Sequence, residues 1–295
     1  MILLTGAAGK TGKAILSNLG QHGVRVRSLV RSTKQAEEIK NLGSTEIFIG
    51  DLRDSDALAR SMTGVSRIYY ICPNMAPDEL EIGKNLVNIA KSSGVTHFVY
   101  HSVFHPQIEA MPHHWQKMRM EEFIFTSGLD FTILQPCAYM QNILGSWKSI
   151  IEQGIYPIPY ATTSRISIVD LADIAAVAET VLTQRGHSGA IYELAGPEPL
   201  SQDEVAQILS TELEREVKAV NLDRHQWVEH AQKSGVNDLA ISTLLKMFEY
   251  YERNGLAGNP NVLNMLLKRN ATKFSEFIHH LNTSEKRSRQ TLILR

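Results

Sequence analysis

The sequence predicts an α/β protein in which a doubly wound parallel sheet is followed by a smaller, mostly helical C-terminal lobe. Three observations support this prediction. Short apolar runs alternate with amphipathic stretches through the first half of the chain, as in βαβ units. A glycine-rich turn joins the first apolar run to the first amphipathic stretch. After about residue 150 the alternation stops and helical patterns prevail.

The apolar runs of the first half are the predicted strands, at residues 2–5, 24–30, 46–49, 67–71, 97–102 and 131–135. The amphipathic stretches are the predicted helices, at residues 11–20, 33–42, 54–62, 78–93, 114–127 and 138–152. Asp54 and Asp78 are suited to begin helices, and Gly43, Gly94 and Gly128 are suited to end them. Because strands that alternate with helices are covered on both faces, we expect a buried parallel sheet.

The second half shows a different order. Residues 154–159 are predicted to be irregular because two prolines interrupt them. A helix is predicted to begin near Asp170, a strand at residues 191–195, and another helix behind the capping box of Ser201 and Glu204. Residues 223–281 are predicted to be mostly helical, with breaks at 255–260. We therefore predict domains at residues 1–152 and 153–295, with the chain returning to the first domain around 165–195.

Composition excludes several classes of protein. Among 295 residues, 30 Lys and Arg balance 31 Asp and Glu, which argues against a protein that coats nucleic acid or a membrane surface. Two cysteines, Cys72 and Cys137, are too few for a disulfide framework. There is no apolar stretch of about 18 residues, and Met1 leads directly into a predicted strand. We expect no signal peptide or membrane span, and a cytoplasmic protein in a reducing compartment.

The strongest motif is the turn between the first predicted strand and helix, Thr5-Gly6-Ala7-Ala8-Gly9-Lys10-Thr11-Gly12. Glycines three residues apart permit a tight turn and close approach of a diphosphate, and the helix start offers free N–H groups. The motif predicts a Rossmann-type sheet that binds a dinucleotide through Gly6, Ala8, Gly9, Lys10, Thr11 and Gly12. The competing interpretation is a glycine-rich turn without a ligand.

The second predicted strand indicates which dinucleotide binds. NAD enzymes usually carry an acidic residue about 20 residues past the turn, where this chain has Arg31 and no Asp or Glu nearby. A guanidinium pairs well with a 2′-phosphate, so NADP(H) is the predicted cofactor. The alternative is a solvated surface arginine.

Further predicted contacts lie where other strands end. Asp51 can accept a hydrogen bond from the adenine amino group while Leu52 packs on the ring, although Asp51 also suits a helix cap or turn. Cys72 and Pro73 follow the fourth strand and are expected to border the cofactor cleft. Ser102 follows the fifth strand and is expected near the nicotinamide.

Additional motifs extend along nearly the whole chain. They are Gly50-Asp51-Leu52, the segment from His114 to Asn142, the segment from Ile168 to Asp173, Leu194-Ala195-Gly196-Pro197-Glu198 and the helix after Ser201. The segment from His114 contains His-x-x-Lys-x-x-x-Glu, Thr-Ile-Leu-Gln-Pro and Tyr-Met-Gln-Asn. With the glycine turn, these motifs resemble the NmrA-like family of atypical short-chain dehydrogenase/reductases.

This resemblance implies a Rossmann domain with a C-terminal substrate lobe. Members of the family include NADPH-dependent reductases of quinones, azo dyes, triphenylmethane dyes and plant phenylpropanoids, and ergot-pathway dehydrogenases. Other members bind the dinucleotide as redox-sensing regulators. A small-molecule substrate is therefore the expected partner, and a protein partner is expected if the chain is a sensor.

Typical short-chain dehydrogenases place Tyr-x-x-x-Lys on one helix, and the matching positions here are His113 and Lys117. Lys117 also matches the helix lysine of the family, which implies a contact to the nicotinamide ribose. The alternative for Lys117 is a solvated helix lysine. His113 can act as a proton donor, contact substrate or simply be exposed.

Without the tyrosine, oxidation of an alcohol lacks its usual base, whereas a conjugated acceptor needs less assistance. The sequence therefore favours a reductase of a quinone-like or aromatic compound, and equally suits a dinucleotide sensor. Pro136, Cys137 and Tyr139 follow the sixth strand and are expected to line the same cleft, where Cys137 could also be a reactive thiol. His97, His101 and His105 have a metal-like spacing, but on a strand they lie far apart, and no metal site is predicted.

Overall fold

A seven-stranded parallel sheet organises the first of two structural units. The computed structural model describes the backbone of residues 1–293 and the side chains of residues 1–283. The first unit comprises Met1–Pro136, Leu171–Leu194 and Met265–Leu267, and the second comprises Cys137–Asp170, Ala195–Asn264 and the chain from Lys268 onward. The proposed domain boundary between residues 152 and 153 stays a prediction.

The strands follow one another along the chain as β1 (Ile2–Leu4), β2 (Val26–Val30), β3 (Glu46–Ile49), β4 (Arg67–Tyr70), β5 (His97–His101), β6 (Phe131–Pro136), β7 (Ala138–Tyr139), β8 (Ile155–Ile158), β9 (Ile166–Val169), β10 (Ala190–Leu194), β11 (Pro199–Leu200) and β12 (Lys218–Asn221). The helices are α1 (Lys10–Gln21), α2 (Thr33–Ile39), α3 (Ser55–Ser61), α4 (Glu79–Ser92), α5 (Pro112–Thr126), α6 (Trp147–Gln153), α7 (Leu171–Thr183), α8 (Gln202–Glu212), α9 (Arg224–Lys233), α10 (Asp238–Asn254), α11 (Asn261–Leu267) and α12 (Phe274–Ile293).

The strand order of the large sheet is β10-β6-β5-β4-β1-β2-β3, and neighbouring strands are parallel throughout. The order reverses between β1 and β4, because successive strands are added on one side of β1 and then on the other. In open α/β sheets this switch point opens a crevice beyond the carboxyl ends of the strands. The predicted Rossmann-type parallel sheet is confirmed.

The core of the first unit forms on the central strands of the sheet, whose apolar residues are buried. Leu3, Ile68, Tyr70 and Phe98 are fully buried or nearly so within one cluster of side chains. Tyr69, which lies between Ile68 and Tyr70 and so faces the opposite side of the sheet, is also fully buried. Burial on both faces is typical of a parallel sheet covered by helices. The strands thus form a rigid base from which the loops at their carboxyl ends project.

The second unit contains two small sheets and the remaining helices. One sheet has the order β11-β9-β7, and the other pairs β12 with β8 in parallel. Its core cluster includes Ile150, Leu209 and Phe274. The capping box predicted for Ser201 and Glu204 is present at the start of α8.

Two predicted segments of this unit differ from the structure. Residues 154–159, predicted as irregular, contain strand β8, which tolerates Pro157 because a two-stranded sheet leaves one of its edges unpaired. Residues 138–152, predicted as one helix, form β7, a 3-10 helix at Met140–Ser146 and α6. The backbone pairing of β7 with β9 replaces helical hydrogen bonds at the start of this segment.

Helix starts in the first unit follow the sequence in part. The Asp54 carboxylate caps α3 by accepting hydrogen bonds from the backbone N–H groups of Asp56 and Ala57. Asp78 occupies the equivalent place before α4, but its carboxylate instead accepts two hydrogen bonds from Arg53, at 2.7 and 2.9 Å. In the part of the chain that is described, no helix has the length and apolarity needed to cross a bilayer.

Candidate functional site

The threonine that precedes the glycine turn ties the switch-point strands β1 and β4 together. The Thr5 hydroxyl donates to the carbonyl of Ile71 at 2.9 Å and accepts from the N–H of Ile71 at 2.8 Å. The backbone N–H of Thr5 also donates to the carbonyl of Tyr69 at 3.1 Å. The glycine turn therefore begins from a fixed point at the carboxyl edge of the sheet.

Two glycines of this turn are required by the turn itself. Gly6 has a φ of +62°, a conformation that residues with a side chain rarely adopt. A Cβ on Gly12 would lie 2.2 Å from the carbonyl oxygen of Gly6 and 2.7 Å from the Cα of Ala7. Because both neighbours are backbone atoms, α1 packs closely on the turn only when this position is glycine.

Gly9 differs, because the protein does not fill the space beside it. A Cβ there would meet only the carbonyl oxygen of Gly6, at 3.3 Å. Gly9 is the N-cap of α1, no side chain caps this end, and no acidic residue lies in its first turn. Gly9 and Lys10 are exposed. An open, uncapped helix start with a positive dipole end fits a diphosphate.

The other predicted binding residues of this turn lie beside Gly9. Ala8 and Thr11 are partly exposed, and Lys10 and Thr11 begin the helix. The structure therefore brings the whole predicted diphosphate set, Gly6 to Gly12, to one end of α1. Their contact with a dinucleotide stays a prediction.

Arg31 lies directly after β2, at the same edge of the sheet. Its backbone N–H donates to the Gln35 side chain at 2.8 Å, and the residue is exposed. Within the described side chains, its guanidinium forms no ion pair. Lys34 is also exposed, in the first turn of α2. An exposed guanidinium at this place would fit the 2′-phosphate of NADP(H), and this contact stays a prediction.

Asp51 and Leu52 follow β3. Asp51 is partly exposed, and its carboxylate accepts a hydrogen bond from the N–H of Arg53 at 2.8 Å, as in an Asx turn. Leu52 is 7% exposed and belongs to the core cluster of the unit. Leu52 therefore offers little surface for an adenine ring.

Cys72 and Pro73 follow β4, on the other side of the switch point. Burial and the nearby Glu79 carboxylate raise the pKa of the Cys72 thiol to about 12. A thiol that stays protonated at neutral pH is a poor nucleophile. Cys72 is therefore a buried residue of the loop after β4, and the next residue, Pro73, is partly exposed.

Lys117 lies in the middle of α5 and forms a buried ion pair that the sequence did not indicate. Its Nζ donates to Glu79 Oε1 at 2.7 Å, and the Tyr100 hydroxyl donates to the same oxygen at 2.8 Å. Glu79 begins α4, so it looked in sequence like any acidic residue that favours a helix start. Its partner is 38 residues away, and no local pattern reveals such a pair.

His113 is one turn before Lys117 on α5. Burial, with smaller contributions from His114 and Lys117, lowers the pKa of His113 to about 3. Its Nδ1 is buried and has no hydrogen-bond partner among the described residues, and its ring meets that of His114 edge-on at 4.5 Å. His113 is therefore neutral near pH 7, which does not favour its predicted role as a proton donor.

Ser102, at the end of β5, belongs to a second buried polar group that the sequence also did not indicate. Its hydroxyl donates to Glu121, and the Gln135 amide donates to both oxygens of that carboxylate at 3.0 and 2.9 Å. Burial raises the pKa of Glu121. Pro136, at the end of β6, accepts a hydrogen bond from the N–H of Phe104 at 2.9 Å.

Cys137 and Tyr139 belong to the second unit, and their predicted place in the cofactor cleft stays a prediction. Cys137 is 3% exposed, and burial raises the pKa of its thiol to about 12, which argues against a reactive cysteine. Tyr139 is partly exposed in β7, which pairs with β9.

The three spaced histidines each have a different partner. His101 is buried and hydrogen-bonds the Tyr69 hydroxyl at 2.7 Å, His97 contacts Asp130 at 3.1 Å, and His105 contacts Glu193 at 3.5 Å. Within residues 1–283, no three His, Cys, Asp or Glu side chains are grouped to hold a metal ion.

Comparisons with known proteins show which family and which proteins this chain is similar to. The sequence model of the NmrA-like family matches residues 1–284. The chain is 29% identical over 279 residues to an NAD(P)H azoreductase of Xenophilus azovorans, covering 94% of this chain and 96% of that protein. It is 26% identical over 283 residues to quinone oxidoreductase 2 of Escherichia coli strain K12, covering 95% and 98%.

A solved structure adds a bound ligand to the comparison. The NADPH-dependent quinone oxidoreductase of Escherichia coli, crystallised with NADPH, superposes with a TM-score of 0.83 at 25% sequence identity. The match covers 95% of this chain and 99% of that one.

Proposed function

This chain belongs to the NmrA-like family, and we propose that it is an NADPH-dependent reductase that delivers hydride to a quinone-like, azo or other conjugated aromatic acceptor. The observation that carries the proposal is the open, uncapped start of α1 at the switch point. The full-length similarity to an azoreductase and a quinone oxidoreductase supports the reaction class.

The choice of NADPH over NADH rests on Arg31. Its exposed guanidinium lies at the end of β2, where NAD enzymes carry an acid that binds the ribose hydroxyls. A 2′-phosphate would gain a charge-assisted contact there, and a ribose hydroxyl would not. The NADPH bound in the quinone oxidoreductase structure supports the same choice.

The residues of this chain bind and orient NADPH, and the cofactor supplies the hydride. Bound NADPH supplies a hydride, and a quinone that takes the hydride and one further proton becomes a hydroquinone. The N–H groups at the start of α1 would hold the diphosphate, and Lys117 would hold the nicotinamide ribose. Since His113 is neutral near pH 7, the further proton comes from solvent.

The acceptor class follows from this lack of a charged acid. A simple ketone needs a proton as it takes hydride, whereas a quinone or azo compound spreads the developing charge over conjugated atoms. The position that carries the catalytic tyrosine in typical short-chain dehydrogenases is His113 here, and its imidazole is buried. We therefore place ketones and simple alcohols outside the substrate range.

The experiment is a steady-state assay of NADPH oxidation against a panel of quinones, azo dyes, triphenylmethane dyes and simple ketones. The proposal predicts turnover with at least one conjugated acceptor and none with the ketones. Gly9→Ala, which narrows the diphosphate path, should raise the NADPH concentration needed for half-maximal turnover by about 10–150-fold. Turnover that is confined to ketones would contradict the proposal.

A second candidate function is a dinucleotide sensor that binds NADP(H) and a protein partner without turnover. The observation that favours it is again the neutral, buried His113 in place of a catalytic tyrosine. In that case NADPH binds tightly and none of the acceptors oxidises it. The same panel, read together with a direct titration of NADPH, separates the two functions.

A further inference from the structure

A buried carboxylate lies directly behind the helix lysine of the first unit. The side chain of Glu79 is 3% exposed and that of Lys117 is 17% exposed. Glu79 Oε1 accepts hydrogen bonds from both Lys117 Nζ and the Tyr100 hydroxyl. Burying a charge pair costs free energy that a pair of apolar side chains would not, so this pair is poorly explained by stability alone.

We propose that Glu79 is the positioning residue of the active site, because it holds the Lys117 ammonium in the orientation that receives the nicotinamide ribose. This inference rests on the proposed function. An ammonium group has three donors, so the bond to Glu79 leaves two for the ribose hydroxyls. Glu79 itself does not touch cofactor or substrate.

Three elements meet at one oxygen atom, and this fixes the lysine. Glu79 comes from α4, Tyr100 from β5 and Lys117 from α5. The Lys117 ammonium also lies 5.5 Å from the centre of the Tyr100 ring, a cation–π distance. The Tyr100 ring in turn stacks on Tyr70 at 5.6 Å.

The consequence is that the lysine is ordered before the cofactor binds. A free lysine side chain has many rotamers, and fixing one of them costs entropy at the moment of binding. When Glu79 fixes the rotamer in the folded protein, that cost no longer weakens the contact to the ribose. The hydride donor is then held at the correct distance from the acceptor, which is where small errors cost the most rate.

The variant that tests the proposal is Glu79→Gln, which keeps the shape of the side chain and removes its charge. The matched control is Glu81→Gln, the same substitution on the same helix, where the side chain is 75% exposed and forms an ion pair with Lys84. We expect Glu79→Gln to lower kcat about 10–100-fold. The acceptor KM should stay within about threefold, and the Kd for NADPH should rise by no more than about 2–12-fold, the cost of ordering one lysine side chain, since the diphosphate contacts remain. Glu81→Gln should leave all three constants unchanged.

A double-mutant cycle separates positioning from a structural role. If Glu79 acts through the lysine, Glu79→Gln should lower kcat by less than about twofold once Lys117→Met has been made. A merely structural role would lower kcat by the same factor in both backgrounds, and this outcome would overturn the proposal. Should Glu79→Gln fail to fold, Glu79→Asp takes its place, since it keeps the charge and moves it away from the lysine.

Two further measurements do not depend on turnover. In the protein without cofactor, Lys117 should react with an amine reagent several times faster in Glu79→Gln than in wild type or Glu81→Gln, as followed by peptide mass spectrometry. The fluorescence of bound NADPH should differ from that of wild type by the same amount in Glu79→Gln, Lys117→Met and the double variant, because Glu79 acts on the nicotinamide only through Lys117.

These measurements keep the two proposals apart. If wild type oxidises no NADPH with any acceptor, the proposed function fails, and the labelling and fluorescence still decide the role of Glu79. Equal labelling of Lys117 in wild type and Glu79→Gln would overturn the positioning role even in an active reductase.

Discussion

Replacing Gly12 by alanine should mainly lower the stability of the protein, whereas replacing Gly9 by alanine should mainly weaken NADPH binding. At Gly12 the new methyl would lie 2.2 Å from a backbone oxygen, so α1 must move, and overpacking of this kind costs about 1–3 kcal/mol of stability. At Gly9 the methyl meets a single oxygen at 3.3 Å, and the backbone is extended with a φ of −77°. The cost to folding there is about 0.5–1 kcal/mol, the loss expected for alanine at a helix N-cap.

The effects on binding run the other way, because the Gly9 methyl occupies the path of the diphosphate. Losing one charge-assisted hydrogen bond weakens binding about 10–150-fold. NADPH at about 100 times its Kd stabilises wild type by about 2.7 kcal/mol, and for Gly9→Ala this gain should fall to about 0.3–1.4 kcal/mol.

Urea unfolding with and without NADPH, beside a fluorescence titration, measures both effects. Gly9→Ala should keep most of its stability without cofactor, whereas Gly12→Ala should lose stability. A full NADPH-induced gain in Gly9→Ala would show that the turn is structural only, and the reasoning about the open helix start would be refuted.

Three other predictions follow from the same structure. In parallel titrations, Arg31→Ala should raise the Kd for NADPH about 10–150-fold and leave the Kd for NADH unchanged. Equal effects on the two cofactors would show that Arg31 does not bind the 2′-phosphate. Burial lowers the pKa of His101 and His113 to about 3, below the ordinary value of about 6.5, so these groups stay neutral in the folded state while the unfolded chain takes up protons. The free energy of unfolding should therefore be highest above about pH 6.5 and fall as the pH drops from there towards 3, and His113→Gln should make that fall shallower. Neither Cys72 nor Cys137 should react with a thiol reagent in the native protein, because burial raises the pKa of both thiols to about 12. Both should react after denaturation, and rapid labelling of either in the native protein would contradict the burial argument.

The parallel sheet could be predicted because its signals are local. Each strand of the first half is a short apolar run followed by a turn residue, and β3 spans the predicted residues 46–49 without change. The small strands of the second unit lack such signals. Strand β8 contains Pro157 and pairs with β12, about 60 residues further along the chain, so its own sequence does not reveal its partner.

In the candidate site too, the residues with a local sequence signal could be predicted and the others could not. The glycine turn and Arg31 are recognisable because each lies at a fixed distance from a strand end. Glu79 is not, since only the folded chain brings it to Lys117. The protonation of His113 could not be predicted either, because burial lowers its pKa and no neighbouring residue in the sequence reports that burial.

The most direct test of the central claim is a single turnover. Protein carrying an equivalent of bound NADPH is mixed with a quinone in the absence of oxygen, and the absorbance of the reduced nicotinamide is followed in time. The account predicts that bound NADPH is consumed in step with hydroquinone formation, faster than in a mixture without protein. NADPH that binds tightly yet stays reduced in the presence of every conjugated acceptor would contradict it.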